Sequence, residues 1–318
     1  MNLMKRTTLV ALVCLLTGVM RAQTPSDAVM MNPGEICIDL HYGHSAWDEY
    51  WEGDSLRDNG NIGTLNTSIY GTGFMLGLIN RVNLLASLPY VVTNPTGGVI
   101  SGDKGIQDAS FYLKGLLVEQ KLGKGTFKTL ASIGISLPAG DYVPDAPFAI
   151  GLGCPDGIFR GILHYDADMG LYGRVDAGYH LRGSAYLDRT YYYTTQAYYS
   201  DQVDMPNATD YNVTVGYITK NKHFKAEAVY GGLTTFDGFD IRRQDGGFPS
   251  NDMEMSRVGV NLEYYDLFVK GLTIHAGGGM VLTGSNVGKS TMFGGAISYQ
   301  FPLWDGRDNK KSETPEAK

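Results

Sequence analysis

The sequence contains no hydrophobic run long enough for a transmembrane helix. Such a helix needs about 20 apolar residues, and the longest run, Leu9 to Val19, has only about eleven. That run follows Lys5 and Arg6, and the small residue Ala22 comes shortly after it. The pattern resembles a secretory signal peptide, so we predict that residues 1–22 are removed by cleavage after Ala22.

Basic side chains are also in short supply. The chain of 318 residues has 26 Lys and Arg against 33 Asp and Glu, a formal charge of −7. Loss of the signal peptide takes away three basic side chains and lowers the charge to −10. An acidic chain of this kind is a poor match for nucleic acid, and we expect no nucleic-acid partner.

Cysteines and catalytic motifs are scarce as well. After cleavage only Cys37 and Cys154 remain. We place Cys37 low on the first strand and Cys154 in an outer loop, so we do not expect a disulfide between them even in an oxidising compartment. No G-x-S-x-G nucleophile elbow is present, and His41 and His44 alone are too few ligands for a metal site. We predict no catalytic residue, no metal and no cofactor.

What the sequence does contain is a repeated alternation of apolar and polar residues. In the first example, Ile36, Ile38 and Leu40 share one face of a strand, whereas Cys37 and Asp39 share the other. Glycine (42 residues) and tyrosine (21 residues) are abundant, which favours strands over helices. The predicted strands are 35–42, 63–77, 82–92, 106–118, 127–137, 156–165, 171–181, 211–218, 224–235, 255–264, 272–282 and 291–301.

Lipid restricts what such strands can build. Every backbone N–H and C=O inside a bilayer needs a partner within the protein, so strands cross only as a closed sheet. The sequence therefore predicts an all-β fold, a transmembrane antiparallel β-barrel of about 12 strands in the outer membrane of a Gram-negative cell, over residues 35–303. Residues 23–34 are predicted to be a periplasmic lead, and residues 304–318 a polar tail. The links alternate between short and long, which places the long links outside and both chain ends in the periplasm.

Ionisable side chains on the predicted strands all fall on the inward-facing parity. Two interpretations remain open: a salt-bridged network that supports the barrel, or the lining of a narrow pore that sets its selectivity. The lumen-lining candidates are Asp39, Lys114, Arg160, His164, Arg174, Asp176, His180, Lys225, Glu227, Arg257, Glu263 and His275.

Aromatic residues mark two further regions. The long link from Ser184 to Tyr211 is rich in tyrosine, and these rings either contact a flat ligand or belong to the interfacial girdle of the barrel. The ligand-contact candidates are Tyr191, Tyr192, Tyr193, Tyr198 and Tyr199. The last strand ends in Tyr299 and Phe301, which resembles the signal read by the barrel-assembly machinery, an expected partner alongside the lipid bilayer.

Three motifs lie at the ends of predicted strands: Ser87-Leu88-Pro89-Tyr90, Gly105-Ile106-Gln107-Asp108 and Ser136-Leu137-Pro138-Ala139-Gly140-Asp141. With these motifs, residues 63–183 resemble the outer-membrane proteins of the MetA pathway of phenol degradation, although Gln107 stands where the family pattern prefers glycine. The family is regarded as transporters of hydrophobic or aromatic compounds. The resemblance implies a β-barrel and a transport role with a small-molecule solute.

Three functions are therefore compatible with the sequence. The first is a passive channel for small hydrophobic or aromatic solutes with a charged, narrow lumen. The second is a non-conducting barrel whose outer loops bind surfaces or serve as a structural scaffold. The third is a membrane lipase or acyltransferase, which the missing nucleophile elbow disfavours.

Overall fold

The chain forms a closed barrel of twelve antiparallel strands, which confirms the predicted fold class. The structure, a computed structural model, describes residues 24–99, 101–144, 149–193, 196–240 and 252–304. The strands are β1 (Glu35–Trp47), β2 (Leu65–Ile79), β3 (Val82–Pro95), β4 (Asp108–Lys121), β5 (Gly125–Pro138), β6 (Asp156–Ala167), β7 (Leu171–Arg182), β8 (Ala208–Ile218), β9 (Phe224–Thr235), β10 (Glu254–Tyr265), β11 (Leu272–Ser285) and β12 (Thr291–Pro302).

Each strand pairs with its neighbours in the sequence, and β1 closes the sheet by pairing with both β2 and β12. Glu35 lies opposite Pro302 at one end of this seam, and Ala46 lies opposite Thr291 at the other. Because the sheet has no free edge, every strand satisfies its backbone groups on both sides. No helix among the described residues is long and apolar enough to cross a membrane.

Burial is inverted relative to a soluble protein. On β1, Leu40 is 64% exposed on the outer wall, and on β7 the inward Asp176 is only 1% exposed. The same contrast separates the outward Leu113 from its buried neighbour Lys114 on β4. An apolar outer face with a polar interior is the pattern of a barrel that is surrounded by lipid.

Several strands extend beyond their predicted ends. β1 continues to Trp47 instead of stopping at Tyr42, and β8 begins at Ala208 instead of Tyr211. Both extensions lie at the end of the barrel that carries the long links. Hydrogen bonding between strands continues there, while the demand for an apolar outward residue ends with the hydrocarbon layer.

All short turns lie at one end of the barrel and all long links at the other. Several long links carry small hairpins of their own: Glu49–Glu52 with Ser55–Asp58, Ser184–Tyr186 with Gln202–Asp204, and Tyr192–Tyr193 with Ala197–Tyr198. A further short strand, Lys104–Ile106, adds to β3. That the long links face the outside of the cell stays a prediction.

The lead, predicted to be periplasmic, enters the barrel in the structure. Residues 24–34 have no regular structure, and they run inside the bore at the end with the short turns. Met31 packs against the inward Cys37, Met75 and Leu85. Ala28 packs against Leu130 and Ile162 on the opposite wall. An apolar stretch in the lead explains this position, because the bore removes these side chains from water.

A glycine in the wall makes room for the backbone of the lead. The Cβ of any side chain at Gly77 would lie 2.0 Å from the carbonyl oxygen of Asn32. The peptide N–H of Gly34 also donates to the carbonyl of Gly77 at 2.9 Å. The lead is therefore fixed to β2 at its base as well as packed within the bore. The predicted signal peptide lies outside the described residues, and so does the predicted tail beyond Trp304.

Candidate functional site: a cavity inside the bore

A cavity of about 720 Å³ lies inside the bore, between the lead and the walls formed by β1 and β9 to β12. Thr24, Ser26 and Asp27 of the lead form part of its lining. Side chains fill the interior of a small barrel, and space is left where the inward residues are small. Here the small inward residues are glycines, and the cavity is lined among others by Gly43, Gly259, Gly277, Gly279 and Gly294.

A line of alternating charges lies along the lower wall of the cavity, near the short turns. Arg174 Nη1 lies 3.2 Å from Glu227 Oε1, which also accepts a hydrogen bond of 2.6 Å from the hydroxyl of Tyr172. Lys225 Nζ lies 3.1 Å from the same Glu227 oxygen and 2.7 Å from Glu263 Oε1. These groups come from three strands and compensate one another, so burial leaves none of them unpaired.

The lead adds its own ion pair below the cavity. Lys114, fully buried on β4, donates to Oδ1 of Asp27 at 2.7 Å and to the backbone carbonyls of Thr24 and Asp27. Ser132 on β5 donates to the carbonyl of Pro25 at 3.2 Å. The buried ammonium group thus finds all of its described partners in the lead, and this makes the lead part of the barrel interior.

A second charge network lies nearer the long links, on β6 to β8. Arg160 donates to Asp176 and, with Nη2, to both carboxylate oxygens of Asp210 at 2.7 and 2.8 Å. His180 lies between Asp156 (2.7 Å) and Asp210 (3.0 Å). This network joins three strands across the wall. Its residues are absent from the lining of the cavity, which is consistent with a supporting role for them.

The twelve lumen-lining candidates therefore separate into groups. Those that line the cavity are Arg174, Lys225, Glu227, Arg257, Glu263 and His275. Lys114 lies beneath the lead, and Arg160, Asp176 and His180 belong to the second network. His164 contacts Asp166 at 2.9 Å, and Asp39 contacts His41 Nδ1 at 2.8 Å. All twelve point inward, and half of them border the open space.

The alternation pattern missed part of the lining. Asp27 of the lead was not a candidate because the lead has no strand periodicity. The inward glycines were missed because they carry no side chain to signal a face. The signal that could have placed the lead inside the bore is the run of four apolar residues from Ala28 to Met31. A lead exposed to water would gain no stability from such a run.

An apolar cluster lies at the end of the same bore that carries the long links. Trp51, from the link after β1, packs against the inward Val281 and against Val287. Met253, Met255 and Met292 pack around this group, and Met292 also lines the cavity. The position of Trp51 is fixed by backbone bonds, because its N–H donates to the carbonyl of Val287 at 2.9 Å.

The tyrosine-rich link forms a separate hairpin beyond the barrel. Tyr192 and Tyr198 stack with ring centroids 5.0 Å apart and planes 12° from parallel. Tyr191, Tyr193 and Tyr199 are largely exposed. None of these five rings lines the cavity. Any ligand contact of the tyrosines would therefore be made outside the bore.

The motifs that carry the family resemblance lie close together at the end of the barrel with the long links. The first residue of β4, Asp108, accepts a hydrogen bond from the hydroxyl of Tyr142 and another from the N–H of Leu152 at 3.2 Å. The Cβ of a side chain at Gly140 would lie 2.1 Å from the carbonyl oxygen of Ile106. Burial raises the pKa of Tyr142, and its bond to the Asp108 carboxylate acts in the same direction. These motifs anchor an outer link and are remote from the cavity.

Ser298, His275 and Glu263 lie in the order of a Ser-His-acid catalytic triad. His275 Nε2 lies 3.1 Å from Ser298 Oγ, and His275 Nδ1 lies 4.0 Å from Glu263 Oε1. Ser298 is only 1% exposed, so a lipid or ester cannot reach its hydroxyl. A catalytic serine must meet its substrate, and this arrangement instead satisfies buried polar groups.

Comparison with known proteins gives the fold a clear relative among solved structures. No protein-family model matches the chain, and no curated protein matches it in sequence. The COG4313 outer membrane channel from Pseudomonas putida F1 superimposes with a TM-score of 0.71 at 12% identity, covering 88% of this chain and 100% of that chain. The NanC porin covers 82% of this chain and 98% of its own at a TM-score of 0.45 and 11% identity. The first likeness shows a shared fold, that of an outer-membrane β-barrel.

Proposed function

We propose that the protein is an outer-membrane channel through which small solutes diffuse passively. The observation that carries this proposal is the cavity of about 720 Å³ within the bore, which is bordered by charged side chains and by glycines. A bore that served only as a scaffold would gain stability from filling this space. The channel named in the solved structure with the same fold supports the proposal.

The solute class is the finer part of the proposal. The resemblance of residues 63–183 to the phenol-degradation family favours hydrophobic or aromatic compounds, and the apolar cluster around Trp51 and Met292 offers such a solute a contact surface. Export through the signal peptide and insertion by the barrel-assembly machinery belong to the same proposal.

Single-channel conductance in planar bilayers tests this function. Gly43 faces the cavity, and a Cβ there meets only Ile69, at 3.8 Å, so Gly43→Phe fills open space without a backbone clash. Gly161 faces lipid, and a Cβ there meets nothing within 4 Å, which makes Gly161→Phe the matched control. We expect Gly43→Phe to lower the conductance by about half or more, and Gly161→Phe to leave it unchanged.

The non-conducting scaffold remains a second candidate because the lead is tied into the bore. Asp27→Ala removes the anion that holds Lys114 and so weakens that tie. A wild-type protein that is silent while Asp27→Ala conducts would identify the lead as the closing element of a channel. Silence from both proteins would favour the scaffold, and its binding partners would then be sought at the outer links.

A further inference from the structure

Arg257 lines the cavity and differs from the other cations there in its polar contacts. It lies on β10, directly opposite Val281 of β11, at a point where the register shifts between Ser256 and Arg257. Within the described part of the chain, its polar contact is a hydrogen bond of 3.5 Å from Nη2 to Oδ1 of Asn212, at the limit of such bonds. No carboxylate there lies within ion-pair distance of its guanidinium group.

The other ionisable groups of the cavity compensate one another. Glu227 and Glu263 are neutralised by Arg174 and Lys225 at distances of 2.7 to 3.2 Å. Asp27 of the lead is neutralised from below by Lys114. Asn212, the polar partner of Arg257 among the described residues, directs its amide N–H to Asp176 at 3.1 Å and carries no charge of its own. Among the residues that the structure describes, the cavity is thus left with the guanidinium group of Arg257, whose charge no carboxylate of the lining balances.

Apolar side chains lie near the Arg257 guanidinium group, toward the end of the barrel with the long links. Val281, the residue opposite Arg257, packs with Trp51, and Met292 extends the same cluster into the lining of the cavity. Below these residues, Gly277 and Gly279 leave the wall flat. A guanidinium group beside an apolar surface suits an anion that carries an apolar body, because the charge pairs while the body leaves water.

We propose that the cavity binds a small monocarboxylate, with its anionic head on Arg257 and its apolar body against Met292 and the glycine wall. The inference rests on the proposed channel function for its biological meaning, although the binding itself requires no conduction. The guanidinium fork donates two parallel hydrogen bonds to a carboxylate, and this geometry would reject an uncharged amide of the same shape.

Benzoate and benzamide are suitable probes because they have nearly the same shape and differ in charge. Saturation-transfer NMR on the purified full-length protein in detergent measures the binding of each one. We expect benzoate to bind more tightly than benzamide to the wild-type protein. Arg257→Gln should weaken benzoate binding by about tenfold or more, the loss of one charge-assisted interaction, and should leave benzamide binding unchanged.

Two further variants separate this site from general charge effects. Arg257→Lys keeps the positive charge but loses the two-pronged geometry, so it should bind benzoate more weakly than the wild-type protein and still prefer it to benzamide. Arg57→Gln removes the same charge from an exposed hairpin in the link after β1, where Arg57 pairs with Glu52, and should have no effect. Equal binding of benzoate and benzamide to the wild-type protein would overturn the proposal even if Arg257→Gln failed to fold. Undiminished benzoate binding to a folded Arg257→Gln protein would overturn it as well.

Conductance in KCl, measured in parallel, keeps the two proposals distinct. A protein that conducts but does not discriminate between benzoate and benzamide would retain the channel function and lose the carboxylate site. A silent protein that binds benzoate through Arg257 would lose the channel function and retain the site.

Discussion

The Nζ atom of Lys114 lies 2.7 Å from Oδ1 of Asp27, a residue 87 positions earlier in the chain. The contact joins the middle of β4 to the lead, and both side chains are almost completely buried. Taking two charges out of water is costly, and the cost is recovered only while both partners are present. The pair therefore determines whether the lead stays inside the barrel.

Removal of one partner should destabilise the protein strongly. We expect Asp27→Ala to lower the free energy of unfolding by about 3–5 kcal/mol, because it leaves a buried ammonium group without its anion. Guanidinium-induced unfolding, followed by tryptophan fluorescence, measures this change. The double variant Asp27→Ala/Lys114→Met should recover most of the loss. Lys121→Met, which breaks a contact of 3.8 Å with Asp168 between exposed side chains, should change little.

Adjacent residues on β7 should respond very differently to the same substitution. Arg174 faces inward and pairs with Glu227, whereas Val175 is 48% exposed on the lipid face. Arg174→Leu should cost about 3 kcal/mol, because it removes one partner of a buried pair. Val175→Leu should stay within about 0.5 kcal/mol. Equal effects in the same unfolding assay would contradict the assigned orientation of β7.

The two cysteines should be present as unreactive thiols. Cys37 and Cys154 are buried in separate clusters, and neither forms a disulfide. Burial raises the pKa of Cys154 to about 12. Since the thiolate is the nucleophile, only about one molecule in 10⁴ would be reactive at pH 8. Mass spectrometry after iodoacetamide treatment should find no label on Cys37 or Cys154 in the folded protein and a label on both after denaturation.

The aromatic end of β12 should matter for assembly. Tyr299 and Phe301 stack on the lipid face, with ring centroids 5.5 Å apart. We expect Phe301→Ala to lower the amount of folded protein in the outer membrane, measured by heat-modifiable migration on gels. Phe293→Ala is the matched control, because Phe293 lies on the same face of the same strand, farther from its end. A similar loss in both variants would point to lipid contact instead of a terminal signal.

The parts of the fold that sequence could predict are those that lipid constrains. Leu40 must be apolar because it meets hydrocarbon, and Asp39 is free to be polar because it faces the bore. The alternation that results predicted the inward orientation of all twelve charged candidates. It could not predict that β1 reaches Trp47, because outside the hydrocarbon layer the backbone pairs without any demand on its side chains.

The cavity was harder to predict because its boundaries come from elements without periodicity. The lead contributes Asp27, and the link after β1 contributes Trp51, which packs above the cavity. Apolar and polar residues do not alternate in either segment, so the strand pattern cannot predict where these segments lie in the fold. Arg257 was predicted to face inward. That its contact among the described residues is Asn212 and not a carboxylate follows only from the three-dimensional arrangement.

The seam between β1 and β12 imposes an order of events on folding. These two strands are nearly the whole barrel apart in sequence, so their pairing has a high contact order and is the slowest to form. The lead precedes β1 directly, and its bond from Gly34 to Gly77 fixes it to the inner surface of β2. A lead left outside at closure would have to cross an intact hydrogen-bonded wall or re-enter through an end of the barrel. The direct route to the folded state therefore has the lead on the concave side of the sheet before the last strand arrives.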